Sequence, residues 1–124
     1  MPTYSKSVTF LGETAVLLDV EVDLLQRLPS IVMVGLPASD VRESAERVRS
    51  AILASGFDFP RMRVVVNVAP ADLRKSRITS LDLPIAAAIL EASGQVKLPK
   101  KALFYGELGL DGRVRPVRGT ALAV

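Results

Sequence analysis

From Thr14 the apolar positions Val16, Leu18, Val20 and Val22 alternate with Asp19, Glu21 and Asp23, a period of two that predicts a strand with one wet face. The next apolar run, residues 30–35 (SIVMVG), is hydrophobic at consecutive positions, so both faces of the strand it predicts need cover and a central place in the sheet is expected. Gly35-Leu36-Pro37 breaks that run. Asp40 followed by Glu43 has the spacing of a capping box opening a helix. Val41, Ala45, Val48 and Ile52 form the apolar stripe of that helix, with Arg42, Glu43, Glu46, Arg47 and Arg49 on its polar side and Gly56 as its stop.

The period returns to two over residues 62–69 (MRVVVNVA), where Met62, Val64, Val66 and Val68 share a face and Pro70 ends the strand. Residues 71–81 (ADLRKSRITSL) are polar and basic, without glycine or periodicity, and read as a functional loop. Asp82 is placed to cap a second helix that tolerates Pro84 in its first turn and ends at Gly94. Residues 103–110 (LFYGELGL), the Asp111-Gly112 turn and residues 113–117 (RVRPV) predict a β-hairpin, and a further apolar segment starts at Gly119. Strands and helices interleaved in this way predict an α/β fold of the two-layer α+β kind, in one domain covering residues 1–124.

Composition narrows the chemistry. Cysteine and histidine are both absent, which excludes disulfides, thiolate catalysis, and the commonest general base and metal ligand. No segment has the length of a signal-peptide core or a membrane span, and a cytoplasmic protein with no membrane partner is expected. No GxxxxGK[ST] loop is present, so no cofactor is expected in this chain. The net charge of +3 is unevenly spread: residues 13–23 hold Glu13, Asp19, Glu21 and Asp23 and no base, whereas arginines crowd the second half. Arg74, Lys75 and Arg77 in the loop and Arg113 and Arg115 in the hairpin are the candidate nucleic-acid-binding residues. Among carboxylates, Asp82 and Glu107 hold the most informative places, with helix capping and hairpin packing as their plain structural roles.

Three stretches, residues 34–60 (VGLPASDVRESAERVRSAILASGFDFP), 66–94 (VNVAPADLRKSRITSLDLPIAAAILEASG) and 103–119 (LFYGELGLDGRVRPVRG), together resemble the N-terminal, ChlI-type domain of the magnesium-chelatase-like AAA+ ATPases of the ComM and YifB kind. The resemblance covers nearly the whole chain in unbroken order. It implies a Lon-protease-like domain of the ribosomal protein S5 domain 2-like folds, truncated here at its C-terminal end and standing ahead of an ATPase module. That module is where ATP and magnesium would bind. Partners implied are the protein's own AAA+ module, further copies in a hexamer, and DNA during branch migration in natural transformation.

A Lon-like fold brings a rival reading, a Ser-Lys peptidase, whose chemistry needs no histidine. By the same matching, Asp82 stands at the nucleophile position and Ala121 at the lysine position, so both members of the dyad are missing. Ser80 remains as a displaced nucleophile that lacks a base. Members of the family carry a Gly-Ser-Gly-Phe type run before Asp-Leu-Pro, where this chain has Arg77-Ile78-Thr79-Ser80-Leu81, which puts in doubt any role needing close backbone approach. The reading that follows is a non-proteolytic accessory domain. Protein contacts that hold an oligomer and DNA contacts that guide a strand compete for its working surface.

Overall fold

Val64, Val66 and Val68 are fully buried, as their spacing requires, and they sit at the centre of the structure. The computed structural model describes residues 3–11, 14–34, 38–69, 81–99, 102–104 and 106–115. Along them run β1 (Thr3–Leu11), β2 (Thr14–Leu25), β3 (Ser30–Val34), α1 (Ala38–Ala54), β4 (Arg63–Ala69), α2 (Asp82–Ala92), β5 (Glu107–Leu108) and β6 (Val114–Arg115). The first four strands make one sheet in the order β1-β2-β4-β3. Only the β3–β4 pair is parallel, and α1 is the crossover that such a pair needs.

One face of the sheet carries both helices. Leu18, Val20 and Val22 of β2 and the β4 valines pack with Val48 and Ile52 of α1 and Ile85 and Ile89 of α2 in a single core. Each such aliphatic side chain contributes roughly 1.5–3 kcal/mol over its exposed state. On the opposite face Tyr4, Leu17 and Asp19 are exposed. There Lys6 lies 3.4 Å from Asp19, and the Tyr4 hydroxyl donates to Glu21 at 2.8 Å. The layers are therefore two, a mixed sheet and a pair of helices.

The strand β1 was not legible from hydrophobic alternation, because its core-facing positions are serines. Ser5 and Ser7 are buried opposite Val20 and Leu18, in the strand that α2 packs against. Small residues on both sides let that helix sit low on the sheet, and the Ser5 hydroxyl donates to the Pro84 carbonyl at 2.7 Å.

Four expectations are corrected. β3 is an edge strand among the described residues, not a central one, and Val34 on its uncovered face is 51% exposed. Helix α1 begins at Ala38, so Asp40 lies inside its first turn rather than capping it. Arg47, placed by periodicity on the polar side of α1, is turned inward with 18% of its side chain exposed. Among the described residues the run 103–110 does not form one strand: Leu103 bridges Lys6 in parallel and Phe104 N–H donates to the Lys6 carbonyl at 2.9 Å, which meets the β1 edge at that residue, while Glu107 and Leu108 pair with β6. The hairpin turns at Asp111-Gly112, but through three residues rather than two: Leu108 pairs with Val114 and the Gly109 N–H donates to the Arg113 carbonyl at 2.8 Å, which leaves Leu110, Asp111 and Gly112 as the loop, with Gly112 at φ +89°. Among the described residues no helix is long and apolar enough to cross a membrane.

Candidate functional site

Ser44 and Arg47 are three residues apart on α1 and so share a face, and that face meets the first turn of α2. Ser44 interrupts the apolar stripe between Val41 and Val48, and it is fully buried. Across from it stands Asp82, which has no exposed surface. Arg47 Nε donates to Asp82 Oδ2 at 2.6 Å and Nη2 donates to Oδ1 at 3.2 Å. Ser44 Oγ donates to Oδ1 at 3.0 Å, and the Leu108 N–H donates to Oδ2 at 3.1 Å. Both carboxylate oxygens thus accept two hydrogen bonds, and three elements are joined through one side chain.

Asp82 is therefore not the cap of α2. The N-cap is Leu81, which makes no side-chain capping bond, and Asp82 is the first residue of the helix. Its charge still suits the helix dipole, but its hydrogen bonds go to α1 and β5. The Leu83 N–H donates to the Gly106 carbonyl at 3.1 Å, a second tie between this helix start and the hairpin segment. Burial lifts the Asp82 carboxyl above its ordinary value, against the pull of Arg47, Leu108 and Ser44. The hydrogen bond to Asp82 raises Arg47 further, outweighing its own desolvation, and Glu107 and Glu43 add to this.

With no solvent-facing surface and both oxygens engaged, the Asp82 carboxylate ties α1, α2 and β5 together. Glu107 lies in β5 opposite Arg115, in the hairpin position expected of it. Among the described residues no three carboxylates come together to hold a metal ion.

Of the candidate cations, Arg113 is exposed over 87% of its side chain, with Nε 3.8 Å from Asp111 Oδ2 and its own N–H on Asp111 Oδ1 at 3.0 Å. Arg115 closes β6 opposite Glu107. Arg74, Lys75 and Arg77 lie outside the described residues, as do Ser80 and Ala121. Ser44 and Arg47 are what sequence reasoning missed. A serine on an apolar stripe with an arginine three residues on was the available signal, but its partner is 35 residues away from Arg47.

The model of the magnesium-chelatase subunit ChlI matches residues 20–124, most of the chain. The chain belongs to this family. Within it, the chain is 46% identical to the uncharacterized protein YifB of Escherichia coli strain K12 over 111 residues, covering 88% of this chain and 22% of YifB. It is 42% identical to the competence protein ComM of Haemophilus influenzae over 116 residues, 92% of this chain and 23% of ComM. An uncharacterized protein of Mycobacterium tuberculosis, Rv2897c, is 40% identical over 122 residues, 95% of this chain and 24% of that protein. The chain thus spans less than a quarter of the length of these family members, at their N-terminal ends.

Proposed function

We propose that this chain is the non-proteolytic accessory domain of a ComM-type, magnesium-chelatase-like AAA+ ATPase, supporting assembly of the motor and guiding DNA to it. The observation that carries the reading is the Arg47–Asp82 centre: the residue matched to the nucleophile of a Lon-type peptidase is a buried carboxylate tied to an arginine. Three strands, a helix, a strand and a helix, with sheet order β1-β2-β4-β3, support the Lon-like, S5 domain 2-like fold for the domain. ATP and magnesium belong to the AAA+ module of the longer polypeptide, and the cytoplasm is where such a motor meets DNA. Competence is the process named for one relative. DNA guidance rests on Arg74, Lys75, Arg77, Arg113 and Arg115, of which Arg113 is exposed.

The test uses the longer polypeptide with and without this domain, in ATP hydrolysis and in branch migration of a labelled four-way DNA junction. Hydrolysis retained with migration lost supports the reading. Migration at an undiminished rate without the domain contradicts it.

A further inference from the structure

A four-stranded sheet has two edges, and here they are treated differently. The β1 edge is met at Lys6 by Leu103 and Phe104. β3 has β4 on one side and, among the described residues, no strand on the other. In a parallel ladder alternate residues turn both backbone groups toward the same neighbour. The Ser30 N–H donates to the Met62 carbonyl at 3.4 Å, which sets Ser30, and with it Val32 and Val34, on the β4 side. Ile31 and Met33 therefore direct their N–H and C=O groups to the free edge. Edge strands usually carry a lysine, a proline, a bulge or an inward charge that discourages pairing. The sequence SIVMV carries no charge and no proline.

We propose that this edge is a self-pairing surface, on which a second copy of the chain adds its own β3 in antiparallel register about a two-fold axis at Val32. This rests on the assembly part of the function proposed above. The register sets Ile31 opposite Met33 of the second copy and Met33 opposite its Ile31, so outward groups meet outward groups in two hydrogen-bonded pairs. Val32 then faces itself across the axis. Ile31 and Met33 continue the helix-side apolar layer into the second copy, level with Val64 and Val66. Leu28, Val34 and Leu53 are exposed apolar side chains on and near this edge. An open groove of about 1260 Å³ between β3 and α1 lies beside it, and its lining carries both signs of charge, Asp23, Glu46 and Asp58 with Arg49 and Arg61. Two copies meeting there bring acidic and basic side chains within reach of one another.

The test is amide hydrogen exchange by NMR and sedimentation of this chain over a range of concentrations, with Val32→Lys as the variant. Val32 and Val34 amides are protected throughout by β4, whereas Ile31 and Met33 amides exchange freely in dilute solution and slow as concentration rises. Val32→Lys sets two ammonium groups opposite one another and weakens association about tenfold or more, while an unchanged melting curve shows the fold intact. A wild-type chain that stays monomeric at millimolar concentration overturns the proposal. Protection of Ile31 and Met33 at every dilution also overturns it, because the edge is then filled from within the same polypeptide. Association that survives Val32→Lys removes β3 but leaves assembly through another surface standing. A longer polypeptide that never assembles removes both.

Discussion

Arg47 and Asp82, 35 residues apart in the chain, meet at 2.6 Å where α1, α2 and β5 converge. The pair is mostly or wholly out of water, and removing one partner leaves the other buried without compensation. Breaking such a pair costs about 3–5 kcal/mol, whereas replacing both members by apolar groups of similar volume costs far less. Arg47→Met and Asp82→Leu singly are expected to lower stability strongly, and the double variant to recover part of the loss. Urea unfolding of the four proteins gives the coupling. Additive losses would show that the two residues act separately.

The raised carboxyl of Asp82 sets the sign of a pH effect. A group whose folded pKa lies above its unfolded value, near 3.8, contributes stability that is fully present below that value and is lost as pH rises through the folded one. A carboxamide in its place does not titrate, so the cost of Asp82→Asn is greatest in acid and shrinks toward neutrality. Unfolding at pH about 3.5 to 7.5 measures it. A cost that grows toward neutrality would mean that the ion pair outweighs desolvation.

Two glycines with similar backbones separate strain from collision. Gly94 at φ +77° has open space where a Cβ would go, whereas a Cβ on Gly112 at φ +89° would collide with Ser55 Oγ and lie 3.2 Å from the Ala51 carbonyl. Gly94→Ala is expected to cost on the order of 1 kcal/mol for the left-handed conformation alone. Gly112→Ala costs more, because α1 must also yield. Equal melting shifts for the two would show that the hairpin does not rest on the end of α1.

Two serines under α2 differ in the same spirit. Ser5 donates to Pro84, whereas Ser7 Oγ is buried without a partner among the described residues. Ser5→Ala is expected to cost about 1 kcal/mol, and Ser7→Ala to be neutral or stabilising. A larger loss at Ser7 than at Ser5 would reveal a partner for that hydroxyl.

What was legible in the sequence were elements whose burial follows a period. β2, β4 and both glycine-ended helices obey the rule that apolar side chains recur on the covered face. β1 hid because its inward positions are serines chosen for close approach by a helix. β3 misled because apolar character on both faces was equated with cover on both sides, yet cover is settled by neighbours distant in the chain. Asp82 misled for a related reason: an acid at a helix start satisfies a local rule, and the guanidinium that takes it belongs to another helix.

The claim that this domain guides DNA is tested most directly by salt dependence. Fluorescence anisotropy with labelled duplex and branched DNA, for the wild type and for Arg74→Ala with Lys75→Ala, yields the slope of log affinity against log salt. Five cations on phosphates give a slope of roughly −4 to −5 on duplex, and each phosphate contact removed lowers it by about one. The account predicts that the double substitution flattens the slope by about two units. Absence of binding even at low salt, or a slope the substitutions leave unchanged, would contradict it and leave assembly as the work of this domain.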